Sequence, residues 1–224
     1  MSQIFYPRIR RRATYKQRKY GGKVGFYLYG RYRRETQEDC LRSCYYCDRH
    51  EDEIGGEEEF ELDHFRPYSF PEFETLENDP RNLVWSCHKC NNLKSDKWPA
   101  RSTDECHVGG RGFIDRFDPS DDSEYFSVNE AGEISAVTPP AQYLIDELRL
   151  DRIGLNMQRK VRIDTVRRIR EVVEALANAV DELSMSSSLP EEIVQELTKN
   201  RLRLVGFLEA DRTNHEYLFR RIRF

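Results

Sequence analysis

The alternation of hydrophobic and polar positions predicts strands in the first 137 residues of this 224-residue chain. Residues 59–62 alternate and predict a strand that delivers Asp63 and His64 at its end. Residues 24–29 follow a Gly21-Gly22 turn and predict a short strand. Residues 125–128 and 133–137 flank an Asn-Glu-Ala-Gly loop, which predicts a β-hairpin.

The last third of the chain has helical periodicity. Thr138 followed by two prolines marks a helix start, and apolar residues at three- and four-residue steps between positions 161 and 183 predict a long helix. Serines at 184–188 end it, and Pro190 with two following glutamates begins a third helix. The apolar face of the third helix includes Ile193, Leu197, Leu204 and Leu208. We interpret these stripes as core in preference to a partner surface.

Composition indicates a globular and strongly polar protein. Charged residues make up 34% of the chain, and the mean hydropathy is -0.80. No run approaches the roughly 18 apolar residues that span a bilayer, and the first residues lack the apolar core of a secretory signal. We therefore expect a cytoplasmic protein, in which six cysteines indicate metal binding or free thiols before disulfides.

The net charge of -4 hides an uneven distribution. Residues 1–34 contain eleven of the 36 basic residues and no acidic one, which leaves 25 basic against 40 acidic residues in the rest. A cationic segment with interleaved aromatic residues favours contact with a polyanion, and Arg10, Arg11 and Arg12 are candidate nucleic-acid contacts. The alternative is a solvated basic tail.

Two C-x2-C pairs are the first candidate for chemistry. Cys44 and Cys47 form one pair, Cys87 and Cys90 form the other, and 39 residues separate the two pairs. Four thiolates are the closed tetrahedral ligand set of a structural Zn²⁺ site. Coincidental thiols or a redox C-x-x-C are the alternatives, but the redox motif does not account for the second pair. Cys40 falls outside the paired spacing.

A second group of polar residues lies between and just beyond the pairs. Asp63-His64 ends the predicted strand, Asn82 precedes the second pair, and Asn91 follows it at once. A carboxylate and an amide oxygen suit a hard divalent cation such as Mg²⁺, and a histidine can accept a proton at neutral pH. The alternative for Asp63-His64 is a capping pair on a structural zinc finger without catalysis.

The order C-x2-C, D-H-x-x-P, N-L-x-x-x-C-x-x-C-N-x-x-K resembles the HNH nuclease family, also called ββα-metal or His-Me finger nucleases. The resemblance covers residues 44–98 and is closest to the branch braced by a four-cysteine zinc site. It implies an α+β fold with a ββα-metal core. We predict a basic N-terminal arm at 1–39, the nuclease core at 40–115, and a linker with a hairpin followed by a helical region at 116–224.

The resemblance also implies roles for individual residues. His64 is the expected general base, Asp63 and Asn91 the expected ligands of a catalytic Mg²⁺ or Mn²⁺, and Asn82 the residue that holds the loop after the strand. Arg66, Lys94 and Lys97 are expected to contact the substrate backbone. Family members often carry a histidine where this chain has Asn91, and glycine commonly stands where this chain has Asp48.

The expected function is endonucleolytic cleavage of DNA, with RNA not excluded as a substrate. The overall plan is similar to stand-alone HNH proteins of Septu-like prokaryotic antiphage systems, which are encoded with an SMC-like or ABC-type ATPase. That similarity implies an ATPase partner. The alternative is a non-catalytic zinc-finger module that binds nucleic acid or protein, and metal-dependent cleavage discriminates between the two.

Overall fold

The structure is a computed structural model that describes residues 5–121, 123–185 and 190–213. The chain forms two compact units, each of which is described by itself. The first comprises Met1–Asn129 and Glu133–Leu155, and the second comprises Glu130–Gly132 and Asn156–Phe224. The candidate chemistry lies entirely in the first unit.

The first unit combines short antiparallel strand pairs with short helices. The strands are β1 (Gln17–Tyr20), β2 (Lys23–Phe26), β3 (Phe60–His64), β4 (Leu83–Cys87), β5 (His107–Val108), β6 (Arg111–Gly112), β7 (Phe126–Val128) and β8 (Ile134–Ala136). They form four two-stranded sheets: β1–β2, β3–β4, β5–β6 and β7–β8. The helices are α1 (Arg33–Asp39), α2 (His88–Lys94) and α3 (Pro139–Leu148), supplemented by single 3₁₀ turns such as Tyr29–Tyr32 and Pro80–Asn82.

The pair β3–β4, followed at once by α2, is the element that positions the site. Its antiparallel register places Asp63 opposite Val84 and His64 opposite Leu83. All five residues of β4 are buried, as expected for a strand covered on both faces. Because α2 begins directly after Cys87, the helix stays close to the ladder that precedes it.

An aromatic core surrounds this ladder. Phe60 stacks on Trp85, and Trp98 stacks on Phe113 with ring planes 1° apart. Phe65, the residue after His64, packs edge-on against Trp98 at a ring separation of 5.0 Å. Such pairs add about 0.5–1.5 kcal/mol each beyond their buried area. Helix α3 adds its buried face to the same core, through Ala141, Leu144, Ile145 and Leu148.

The second unit contains α4 (Ile153–Met185), apart from its first three residues, and α5 (Glu191–Thr213). Val166, Val173 and Val180 are buried on α4 at seven-residue intervals, which is the spacing of a helix-packing face. The expectation that the whole apolar stripe is core is wrong for four of its members, which are exposed: Val161, Val172, Leu176 and Leu183. Arg201 of α5 forms an ion pair with Asp181 of α4. No helix in the described ranges is long and apolar enough to cross a membrane.

The predicted α+β fold class is confirmed, with small antiparallel sheets and a helical C-terminal region. The predicted strand at 59–64 is β3, the predicted hairpin is β7–β8, and the long helix begins earlier than expected, at Ile153. The side chains of Leu204 and Leu208 lie outside the described residues. The domain boundaries at 39 and 115 stay predictions.

Candidate active site and zinc site

The four paired cysteines converge on one point. Their sulfur atoms all lie within 4.8 Å of one another, and Cys47 Sγ is 3.9 Å from Cys87 Sγ. A tetrahedral Zn²⁺ with Zn–S distances of about 2.3 Å separates its sulfur atoms by about 3.8 Å. The cluster therefore fits a structural zinc ion. Cys40 lies outside the cluster, where its Sγ accepts a hydrogen bond from the Trp85 amide.

Two arginines contact the cluster, and the residue that follows its first cysteine pair has a strained backbone. A Zn²⁺ ion with four thiolates carries a net charge of about -2, and the guanidinium groups of Arg49 and Arg152 lie 3.8 and 3.9 Å from Cys87 Sγ and Cys90 Sγ. Asp48 has a φ of 61°, in the left-handed region that favours glycine. Its carboxylate accepts hydrogen bonds from Arg116 and from the Tyr6 amide, which offsets the strain.

His64 is held in one orientation at the end of β3. Its side chain is buried, and its Nε2 lies 2.8 Å from the Glu77 carbonyl oxygen. A carbonyl can only accept, so Nε2 carries the proton and Nδ1 carries the free lone pair. Tyr29 and Tyr68 contact the ring edge-on, at ring separations of 4.9 and 4.6 Å. Burial lowers the pKa of His64 below its ordinary 6.5, and this outweighs the raising effects of the Glu77 carbonyl and Asp63.

Asp63 is a buried carboxylate with a partner on each oxygen. Tyr46 Oη donates to Oδ2 at 2.5 Å, and Lys94 Nζ donates to Oδ1 at 3.2 Å. Burial raises the pKa of Asp63, while Lys94 and Tyr46 favour its ionised form. A carboxylate has about four lone-pair positions, so two remain for a cation. Tyr46 lies between the two cysteines of the first pair, so the cysteine cluster and Asp63 are joined through one side chain.

The two asparagines occupy different positions. Asn82 is buried and forms two bonds to one residue: its Oδ1 accepts from the Arg66 amide, and its Nδ2 donates to the Arg66 carbonyl. The Phe65 amide also donates to the Asn82 carbonyl at 2.7 Å. These bonds fix the backbone immediately after His64. Asn91 lies half-buried on α2, one residue after Cys90.

Most basic residues expected to contact substrate make intramolecular contacts. Arg11 donates to the Pro80 and Leu83 carbonyls, and Arg12 pairs with Asp39. Lys97 pairs with Glu147 at 2.7 Å. The half-buried Arg66 lies over Phe65 and Trp98 and donates to Cys106 Sγ. Arg10 is exposed.

The structure gives Lys94 a different place from the one expected. The side chain is fully buried, and its ammonium group donates to Asp63 and to the His64 carbonyl, the latter at 2.8 Å. A lysine in that position cannot reach a substrate backbone without leaving the core. It neutralises Asp63 and holds the end of β3.

Replacement of Lys94 by methionine is expected to lower the free energy of unfolding by about 3 kcal/mol, because it leaves Asp63 buried without its countercharge. Lys97→Met is the matched control, since Lys97 is half-exposed and its surface pair contributes less than about 1 kcal/mol. Urea unfolding of the zinc-loaded proteins measures both. Equal losses in the two variants would contradict the role assigned to the buried pair.

Several residues of the site were missed in the sequence. Tyr46 could have been predicted, because it stands between Cys44 and Cys47, and a metal held by both cysteine pairs keeps that segment near β3 and β4. The contacts of His64 with the Glu77 carbonyl and with the rings of Tyr29 and Tyr68 could not have been predicted, because no local sequence pattern connects these residues to His64.

Comparison with known proteins agrees with this geometry. A family model described as HNH, HNH endonuclease, matches residues 44–97, the span that contains both cysteine pairs, β3, β4 and α2. Comparisons with curated proteins and with solved structures gave no match. Residues 44–97 therefore match an HNH endonuclease domain, a kind of domain that implies nuclease activity on nucleic acid, and their four clustered cysteines lie close enough together to bind a metal ion.

Proposed function

We propose that this chain is a metal-dependent endonuclease that hydrolyses phosphodiester bonds in DNA, with His64 as general base. The observation that carries the proposal is the orientation of His64, whose Nε2 is bound to the Glu77 carbonyl and whose Nδ1 is therefore left to act as a base. Hydrolysis of a phosphodiester requires an activated water, stabilisation of charge on the phosphoryl oxygens, and help for the leaving oxygen.

His64 performs the first task. Neutral imidazole is the form that accepts a proton, and burial favours that form by lowering the pKa of His64. The Glu77 carbonyl prevents the ring from turning Nε2 toward the water, and it stabilises the imidazolium formed when Nδ1 takes the proton. Asn82 fixes the backbone that follows His64, which keeps the base in position.

Asp63 and Asn91 would hold the catalytic cation. A carboxylate with free lone pairs and an amide oxygen form a ligand set that suits Mg²⁺ or Mn²⁺. Such a cation supplies Lewis-acid stabilisation of the phosphoryl and leaving oxygens when it is bound. Lys94 already neutralises Asp63, so we expect the protein alone to bind the cation weakly and the substrate phosphate to complete the site. Products with 5′-phosphate and 3′-hydroxyl ends are expected.

Supercoiled plasmid provides the direct test. We expect nicked or linear products with Mg²⁺ or Mn²⁺ and none when the catalytic cation is withheld from protein that retains its zinc. Cleavage of DNA but not of an RNA of the same sequence would support the substrate class. A zinc-loaded protein that binds DNA without cutting it would favour the alternative, a binding module without catalysis.

Replacement of Asn91 by alanine is expected to lower the cleavage rate at least roughly tenfold and to raise the Mg²⁺ concentration needed for half-maximal rate. The reason is loss of one oxygen ligand from a site that already binds the cation weakly. Steady-state rates across a Mg²⁺ titration measure both quantities.

The matched control for this variant is Asn92→Ala. Asn92 is the next residue on the same helix, but it is exposed. We expect its rate and Mg²⁺ requirement to stay at the wild-type values. Equal behaviour of the two variants would remove Asn91 from the ligand set.

We infer the biological setting from the resemblance of the sequence plan to Septu-like systems. We propose that the protein acts in the cytoplasm, in prokaryotic antiphage defence, with an SMC-like or ABC-type ATPase that restrains or directs it. A nuclease without a base-reading element needs such a device for specificity. Co-purification with an ATPase encoded beside it would support the proposal, and vigorous cleavage by the isolated protein with no co-purifying ATPase would contradict it.

A further inference from the structure

The N-terminal basic segment contains one element whose cations are free. Of its eleven basic residues, Arg8, Arg12, Lys16 and Arg34 form ion pairs, and Arg11 and Arg33 donate to backbone carbonyls. Among the described residues, Arg10, Arg18, Lys19, Lys23 and Arg31 are exposed and make no ion pair. Three of these five lie on the hairpin formed by β1 and β2, which we call the basic hairpin (residues 17–26).

The basic hairpin is a narrow ribbon with an open tip. Gly21 and Gly22 form its two-residue loop with φ values of 57° and 78°, the positive pair that a tight hairpin turn requires. A Cβ atom added at either glycine would meet nothing within 4 Å. The register places Arg18 opposite Gly25 and Lys19 opposite Val24, so cations project from both faces of the ribbon.

The base of the basic hairpin is fixed to the body by one buried side chain. Tyr32 Oη accepts a hydrogen bond from the Tyr27 amide, just after β2, and donates to the Lys16 carbonyl, just before β1. The Phe26 ring packs edge-on against Tyr32. Tyr32 also belongs to a small buried cluster with Leu83, the residue opposite His64 in the β3–β4 ladder.

The segment that follows the basic hairpin contacts His64, the candidate general base. Three residues after β2, Tyr29 contacts the His64 ring, and its amide donates to Asn78 Oδ1 at 3.0 Å. A phosphate backbone held by the basic hairpin would therefore lie on the His64 side of the site. No acidic residue occurs in residues 1–34 to oppose it.

We propose that the basic hairpin binds duplex DNA by entering a groove, and that Arg18, Lys19 and Lys23 contact the phosphates on its two sides. This inference rests on the proposed function for the identity of the substrate. The major groove is about 12 Å wide and admits a two-stranded ribbon. Four residue pairs give the ribbon a reach of about 13 Å, which exceeds the groove depth of about 8.5 Å. Affinity from phosphate contacts is independent of sequence and decreases with salt.

The test compares two triple variants with the same loss of charge. The hairpin variant carries Arg18→Gln, Lys19→Gln and Lys23→Gln. The control carries Arg167→Gln, Arg168→Gln and Lys199→Gln on the exposed surface of α4 and α5. Binding of a labelled DNA duplex and of a single strand of the same length is followed by fluorescence anisotropy across a salt series, without a catalytic cation. Zinc content and circular dichroism verify that each protein is folded.

We expect the hairpin variant to bind the duplex roughly tenfold or more weakly, and its salt slope to fall by about 0.9 for each phosphate that it no longer neutralises. The control should retain the wild-type affinity and slope. Wild-type affinity in the hairpin variant, equal weakening in both variants, or equal wild-type affinity for duplex and single strand would overturn the inference. A hairpin-dependent complex that is never cleaved would instead contradict the proposed nuclease and leave the inference standing.

Discussion

Plasmid cleavage is expected to fall by roughly 10²- to 10⁴-fold when His64 is replaced by alanine, because that is the usual contribution of a positioned general base. The variant should remain folded, since Asp63 keeps its bonds to Tyr46 and Lys94 and the zinc cluster is untouched. The expected kinetic signature is a reduced kcat with KM near the wild-type value, because His64 acts on the water and not on the bound DNA.

His107→Ala is the matched control for this variant. His107 is exposed on β5, in the same unit, and should leave the rate unchanged. Both proteins are compared at equal zinc content, under the same Mg²⁺ and salt concentrations. Equal cleavage by wild type and His64→Ala would place the base elsewhere and contradict the mechanism.

The pH dependence provides an independent test of the same residue. A base acts in its unprotonated form, so the rate falls as the pH decreases through its pKa. Burial lowers the pKa of His64, which places the acid limb of kcat/KM below the ordinary 6.5. The residual cleavage of His64→Ala should lack that limb. An unchanged acid limb in the variant would assign the titration to another group.

The polypeptide pattern predicted the parts of the site that local rules determine. The cysteine spacing predicted a four-thiol cluster, and alternation at 59–62 predicted the strand that ends at Asp63 and His64. Both are confirmed because each depends on short-range geometry: a C-x2-C pair directs two sulfur atoms to one point, and a strand alternates side chains between two faces.

Contacts between segments that are distant in the sequence could not be predicted from local sequence rules. Lys94, three residues after Asn91 on α2, was expected to contact the substrate backbone, but packing of α2 near β3 buries it against Asp63. Arg12 likewise meets Asp39 of α1, a partner 27 positions away. From the sequence alone, a charged side chain is predicted to be exposed to solvent. Its burial depends on a countercharge that only the tertiary fold brings near.

Loss of the second cysteine pair is expected to unfold the nuclease domain and abolish cleavage together. In the Cys87→Ser, Cys90→Ser double variant the cluster keeps two thiolates, too few to hold a structural Zn²⁺. Apparent binding energies of structural zinc are on the order of 10 kcal/mol, which is comparable with the whole stability of a domain. An ion held by all four thiolates would also connect the segment of Tyr46 to the start of α2, so its loss would separate the elements that hold Asp63.

Cys106→Ser is the matched control, because Cys106 is a half-buried thiol outside the cluster. Metal analysis should give one zinc per chain for wild type and control and none for the double variant. Near-ultraviolet circular dichroism reports on the packed rings of Phe65 and Trp98, and it should collapse only in the double variant. If the double variant kept that signal and its cleavage activity, the zinc site would be dispensable for the fold, and the aromatic core would be sufficient to keep Tyr46 and Lys94 in contact with Asp63.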